Sequence, residues 1–377
     1  MNENGRIPAF LDLSDVQADD PIERAFTIPA LWYTSAEAAE FEKEAVFASS
    51  WQLAAHADRV KEPGSVLETA AGGNPLLLVR DTDGALRAFY NVCRHRGGPI
   101  APCPGSSTML QCRYHGWTYR LDGSLRGVPR FNRAELFDKR DYGLVSARLE
   151  RWQDFLFVNL NGAAPPLEEY FAGIVDRIQP TSIADLQFHS RVTYHVACNW
   201  KVYVDNFLEG YHLPYVHPEL CDILDLHAYK TELAPYYSLQ HSPIDAASNP
   251  YHVQRGDAFY FFVFPNLMLN ILPDRLQVNL VEPSGPDRCR VHFDYYYRDV
   301  TSPAGKARIA DDLDYSDRVQ HEDIEICERV QEGLSSRSYH RGRFSVECEQ
   351  GVYHFQRLLK AAYRASLLPE SEWKKRV

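Results

Sequence analysis

The chain has 377 residues, room for two to three domains at about 150 residues each. Hydrophobic residues make up 45% and charged residues 24%, which excludes a disordered, collagen-like or coiled-coil chain. With Lys+Arg 40 against Asp+Glu 51 the formal net charge is −11, so neither nucleic acid nor an anionic membrane is expected as a partner.

The opening residues Met1-Asn2-Glu3-Asn4 lack a basic stretch followed by an apolar run, so no secretory signal is expected. The longest apolar stretches, such as 258–272, are too short to span a bilayer. Eight cysteines are sparse for disulfide framing, and a reducing, cytoplasmic setting is expected. Six of them, Cys103, Cys198, Cys221, Cys289, Cys327 and Cys348, stand at no recognisable spacing and read as ordinary thiols.

In chain order, residues 36–47 read as a helix with acids in its early turns, capped by Thr34 or Ser35. From about 50 to 160 short β-rich runs alternate with turns. Strands are predicted at 75–80, 86–90, 117–120 and 155–160, with hairpin signals at Asp83-Gly84 and Asp122-Gly123. Small residues and prolines at 162–166 suggest a boundary. Beyond it, 192–198 alternates like a strand and 199–212 reads as a helix. Residues 258–271, 277–283 and 290–298 read as long strands, and 306–334 and 347–362 carry helical periodicity. The expected class is α+β, with an all-β domain at 48–160 and an antiparallel sheet with helices at 161–377. Residues 1–47 are expected to pack with the second domain.

The first chemical constellation is Cys93-Arg94-His95-Arg96-Gly97-Gly98-Pro99 followed by Cys112-Arg113-Tyr114-His115-Gly116-Trp117. Two thiolates and two imidazoles can hold one zinc. They can also hold an iron–sulfur cluster in which two histidines replace two cysteines on one iron. Each half supplies one Cys and one His from a glycine-bearing loop, whereas zinc fingers group like ligands together. The segments C-x-H-R-G and C-x-Y-H-G-W resemble the Rieske [2Fe–2S] signature.

The second constellation, from Asn199-Trp200-Lys201 to His217, contains E-x-x-H-x4-H. On a helix Glu209 lies near His212, and Pro214 is expected to end that helix, so that His217 returns from a loop. Two histidines and one carboxylate form the facial triad of a mononuclear Fe(II) oxygenase. Together the two constellations make the whole chain resemble the α subunit of a Rieske non-haem iron oxygenase, a mono- or dioxygenase. That resemblance implies a helix-grip-like catalytic domain and a third iron ligand at the start of a helix. Asp323 fits that ligand best and Glu322 next. It further implies that Glu209 is no ligand but an electron bridge from His115 of a neighbouring subunit to His212. This requires a ring-shaped homotrimer, with or without a β subunit. No G-x-G-x-x-G follows a strand, so NAD(P)H electrons are expected through a separate reductase or ferredoxin.

The segment 199–217 and the tail stretches 329–334, 342–345 and 349–355 most resemble the branch that oxidises choline, carnitine and glycine betaine. Tyr203, Tyr211, Tyr215, Tyr236, Tyr237, Tyr251 and Tyr260 are candidates for a cage around a quaternary ammonium group. Hydroxylation or demethylation of an aromatic acid, which needs an Arg or Lys for the carboxylate, is the alternative substrate reading. A Rieske electron carrier and a zinc-stabilised binding protein are the non-catalytic readings.

Overall fold

The computed structural model describes residues 7–102, 108–162, 164–221, 228–244 and 256–367, with the side chain of Cys221 left out. Tyr251, Cys103 and the Cys221 thiol therefore lie outside the described residues. The chain divides into two compact units: residues 47–167, and residues 1–46 together with 168–377.

The 47–167 unit is built from short antiparallel strands. A six-stranded sheet takes the order Gln52–His56, Phe155–Asn159, Ser146–Trp152, Leu86–Tyr90, Asn74–Arg80 and Val66–Ala71. A four-stranded sheet follows the chain through Ile100–Pro102, Met109–Cys112, Thr118–Arg120 and Leu125–Gly127. Asp83-Gly84 and Asp122-Gly123 do turn hairpins, and both glycines take a φ of +84° that an L side chain rarely adopts. Leu77, Val79, Phe89, Ile100, Leu110, Trp117 and Tyr119 form the core beneath the Cys93 and Cys112 loops.

The other unit is a seven-stranded antiparallel sheet with helices on it. Its strand order is Gln187–Val196, Cys289–Tyr297, Arg275–Pro283, Leu267–Leu272, Gly256–Val263, Tyr237–Ile244 and Lys230–Leu233. The expected single strand over 258–271 is instead a hairpin turning at Phe264-Pro265-Asn266. Proline has no N–H for a ladder, and Asn266 is buried with its Nδ2 donating to the Val281 carbonyl at 2.8 Å. The long helix Pro303–Leu334 lies on one face of this sheet, with Tyr295 Oη 2.9 Å from Ser316 Oγ.

The start of the second constellation is anchored by the Asn199-Trp200-Lys201 run. Asn199 caps the helix Trp200–Phe207: its Oδ1 accepts from Lys201 N at 3.0 Å, while its Nδ2 donates to the Pro286 carbonyl at 2.7 Å. Lys201 is fully buried, with Nζ 2.6 Å from Glu42 Oε1, and Trp200 Nε1 donates to Glu42 Oε2 at 2.8 Å. Tyr363 of the helix Gln350–Leu367 donates to the same carboxylate and stacks on Trp32 at 4.6 Å. One buried acid thus ties the N-terminal segment to both helices. Glu42 ends a helix, Ala36–Glu42, that Ser35 caps through the backbone N–H groups of Glu37 and Ala38.

Of the cysteines read as unrelated thiols, Cys198, Cys289 and Cys327 come together: Cys198 lies within hydrogen-bonding range of both others. They are far apart in sequence and meet only because strand ends and the long helix converge there. Among the described residues no helix is long and apolar enough to cross a membrane.

Candidate active site

The first site sits on two facing loops. The Cys93 loop closes on itself through Cys93 N to Gly98 O (2.9 Å) and Gly97 N to Cys93 O (3.0 Å). The Cys112 loop does the same through Gly116 N to Cys112 O (3.1 Å), and Arg113 N to Pro99 O (3.0 Å) zips the two together. Gly97 and Gly116 have φ of +70° and +73°. Gly98 is needed for closeness: a Cβ there would stand 2.9 Å from Cys112 Sγ.

These loops place like ligands side by side. The Cys93 and Cys112 thiols are within hydrogen-bonding range, and the His95 and His115 rings lie 4.7 Å apart. Tyr119 Oη is 3.2 Å from Cys93 Sγ, and His95 stacks on Trp117 at 4.9 Å. His95 Nδ1 is buried with no hydrogen-bond partner among the described residues, an atom that calls for a ligand. Desolvation, then the charges of His115 and Arg96, hold His95 below its usual pKa and favour the neutral imidazole that binds metal. Among the described residues a single group, elsewhere in the chain, puts three ligand atoms within 4.8 Å of one another. The four Cys93 and Cys112 loop residues do not converge on one ion. Thiols paired and rings paired fit a two-iron cluster better than a single zinc.

That other group is His212, His217 and Asp323. Glu209 and His212 do not share a helix as expected. The helix Trp200–Phe207 stops at the Leu208 cap, and Pro214 opens rather than closes a short helix, Leu213–Val216. Proline suits that first turn, whose N–H groups have no helical partner. Glu209 still reaches His212: Oε1 is 2.7 Å from Nδ1, and Oε2 accepts from the backbone N–H groups of Tyr211 and His212. Gly210 makes room for this turn, since a Cβ there would stand 3.0 Å from the Tyr229 ring.

Asp323 lies deep within the helix Pro303–Leu334, not at a helix start. The apolar periodicity simply continues through it. Asp323 Oδ1 is 2.9 Å from His217 Nε2 and 3.8 Å from His212 Nε2, and accepts from Asn206 Nδ2 at 2.7 Å. Glu322 stands on the other side of His217, with Oε2 2.6 Å from Nδ1. Each imidazole therefore turns Nδ1 to a glutamate and Nε2 toward Asp323. This is the arrangement by which outer carboxylates fix ligand tautomers. Burial would lower the His217 pKa, but Asp323 and Glu322 outweigh it and the net shift is upward. The donor set, two imidazoles and a carboxylate, suits a mononuclear iron with open positions.

The group opens onto a cleft of about 770 Å3, mouth included. Tyr203 and Tyr260 of the expected tyrosines line it, while Tyr211 (53% exposed) and Tyr215 (82%) face solvent. Tyr236 and Tyr237 lie outside the lining; Tyr236 stacks on Tyr170 at 4.1 Å. Phe207, Tyr229 and Phe293 line it and were not foreseen. Nor were Gln240, Asn270, Arg275, Gln277 and Asn279, which come from the sheet face beneath the long helix. Gln240, Tyr260, Asn270, Gln277 and Tyr295 form one row across five strands. The signal was present as polar residues alternating with Leu276, Val278 and Leu280, but such alternation ordinarily means a solvent face. Arg275 is the one lysine or arginine lining the cleft among the described residues, and its Nε donates to Asp312 Oδ2 at 2.7 Å.

Comparison with known proteins agrees with this geometry. Residues 50–141 match the family described as Rieske [2Fe-2S] domain, and residues 183–365 match Ring hydroxylating alpha subunit (catalytic domain). The chain is 35% identical over 353 residues to the chloroplastic choline monooxygenase of Arabidopsis thaliana, covering 90% of this chain and 83% of that one. The chain belongs to the Rieske non-haem iron oxygenase α subunits.

This Rieske oxygenase is also 30% identical over 357 residues to the carnitine monooxygenase oxygenase subunit of Escherichia coli K12, covering 91% and 95% of the two chains. The crystal structure of the quaternary ammonium Rieske monooxygenase CntA with L-carnitine matches at a TM-score of 0.77 and 31% identity, over 90% of this chain and 96% of that one. Naphthalene 1,2-dioxygenase, at 18% identity and a TM-score of 0.74, shares the fold. As a Rieske oxygenase α subunit the protein is an oxidoreductase, the terminal oxygenase component that uses O2. Its cofactors are a [2Fe–2S] cluster and a mononuclear iron.

Proposed function

We propose that this terminal oxygenase hydroxylates or oxidatively demethylates a small quaternary ammonium compound. The carrying observation is the cleft beside His212, His217 and Asp323: its walls include Tyr203, Phe207, Tyr229, Tyr260 and Phe293, and the one guanidinium that lines it among the described residues already faces Asp312. Aromatic faces attract a cation, whereas an aromatic acid would need an unengaged cation. Burial pushes the Tyr260 hydroxyl up to about 12, so this ring is neutral at ordinary pH. The relatives named choline and carnitine monooxygenase support the same reading.

In this reading Cys93, His95, Cys112 and His115 hold the cluster, and His212, His217 and Asp323 hold the iron. When bound, the cluster would supply electrons and the iron the activation of O2. Glu209 and Glu322 keep the two imidazoles oriented, and Asn206 steadies the Asp323 carboxylate. His115 is exposed, as an electron exit to another chain requires. We place Glu209 between the His212 of one subunit and the His115 of the next, in a homotrimer. Inter-subunit electron transfer is named for a similar quaternary ammonium oxygenase. A separate reductase or ferredoxin brings electrons from NAD(P)H. The 47–167 unit is the electron-receiving domain, and the remainder, including the N-terminal segment, is the catalytic one. A reducing, cytoplasmic setting suits the free thiols.

A single-turnover assay tests the substrate reading. The protein is reduced chemically and mixed with O2 and a panel of trimethylammonium compounds and aromatic acids, and products are read by mass spectrometry. Oxidation of an ammonium compound is the expected result. Oxidation of only an aromatic acid would replace this reading with the alternative one.

A further inference from the structure

Most polar atoms in the cleft are engaged with one another. Gln277 Nε2 donates to Asn279 Oδ1 at 2.8 Å, and Gln240 accepts from the Tyr229 hydroxyl at 2.7 Å while donating to the Phe207 carbonyl at 2.5 Å. Two atoms break this pattern. Gln320 is 2% exposed, and its Oε1 accepts from the Tyr203 hydroxyl at 2.6 Å, with Nε2 as the other end of the amide. Among the described residues Gln320 Nε2 has no partner, and neither has the buried Oδ1 of Asn270. Both side chains line the cleft.

One of these atoms is a donor and the other an acceptor. Buried amide atoms are rarely left unmatched, so a bound ligand or a water supplies the complement. An alkyl chain supplies nothing. A carboxylate can accept from Gln320 but sets oxygen against the Asn270 oxygen. An alcohol both accepts and donates. We propose that Gln320 and Asn270 recognise a hydroxyl group on the substrate, which accepts from Gln320 Nε2 and donates to Asn270 Oδ1. The proposal rests on the quaternary ammonium reading of the same cleft and adds the second group that the substrate carries. It also sets a distance. Gln320 and Asp323 are three residues apart on one helix, so their Cβ atoms are about 5–6 Å apart. The hydroxyl is anchored one helical turn from the carboxylate that faces the two histidines.

The test is calorimetric binding to the iron-loaded protein of two ligands of equal shape: choline, and propyltrimethylammonium, in which a methyl replaces the hydroxyl. The alcohol is expected to bind about 10- to 100-fold more tightly, because its loss leaves both amides unmatched. Gln320→Met and Asn270→Leu, each checked for folding by its melting curve, are expected to bring that ratio to within about threefold. Each variant tests the proposal alone if the other does not fold. A general loosening of the cleft weakens both ligands together and leaves the ratio unmoved. Equal binding of the pair by the unaltered protein, or an unchanged ratio in the folded variants, overturns the hydroxyl assignment and leaves the ammonium reading standing. If neither ammonium compound binds while an aromatic carboxylate does, both readings fall.

Discussion

Glu322 holds Nδ1 of His217 at 2.6 Å from the side of the ring opposite Asp323. Two adjacent acids on one helix thus take different roles, one facing the ligand group and the other behind it. Side chains at i and i+1 point about 100° apart around a helix, so only one of the pair can reach His217 Nε2. Asp323→Ala is expected to lower bound iron from about three to about two per chain while leaving the visible spectrum of the cluster. Glu322→Gln is expected to keep that iron but weaken its retention about 10- to 100-fold. Iron and sulfide assays after graded chelation check both.

Glu209 engages His212 Nδ1 through one oxygen and two backbone N–H groups through the other. Glu209→Gln keeps the shape but removes the charge. It is expected to leave both metals bound and to reduce turnover to a small fraction. Normal steady-state turnover in that variant would sink the bridging role.

The two adjacent glycines of the Cys93 loop separate space from backbone conformation. Gly98→Ala puts a methyl 2.9 Å from both Cys112 Sγ and Tyr114 Cβ, and is expected to lose the cluster. Gly97→Ala meets nothing within 4 Å but requires a φ of +70°. It is expected to keep the cluster and lose about 1–2 kcal/mol of stability. Visible absorbance and melting temperature distinguish the two.

Asp205, on the helix that leads to Glu209, accepts from Tyr33 Oη at 2.5 Å, and desolvation pushes its pKa up to about 7. Its folded pKa is thus above the ordinary 3.8. The unfolded chain releases this proton first, so the contribution to stability falls as pH rises from about 4 to about 7 and is level beyond. Asp205→Asn has no proton to lose. Its melting temperature relative to the unaltered protein is expected to rise between about pH 4 and pH 7. A constant difference across that range would remove Asp205 as the titrating group.

The cluster loops were legible because their chemistry is local. Each half of C-x-H and C-x-x-H is one tight turn, so spacing alone puts a thiol beside an imidazole, and the glycines mark where the backbone must bend. The His212–His217 pair was legible for the same reason. Glu209 reached its partner although the helix assumed for it ends at Phe207, since a carboxylate side chain can close a turn as well as follow a helix face.

What lay beyond the sequence was long-range. Asp323 stands 106 positions from His217 among many acids of one helix, and only packing selects it from Glu322. The convergence of Cys198, Cys289 and Cys327, and the Glu42–Lys201 pair, are likewise made by elements distant in the chain. The cleft shows the limit most clearly. Arg275, Gln277 and Asn279 alternate with apolar residues as any half-exposed strand would, yet all three are buried. Alternation determines that two faces differ, and the helix laid across one of them decides which polar side chains meet a substrate instead of water.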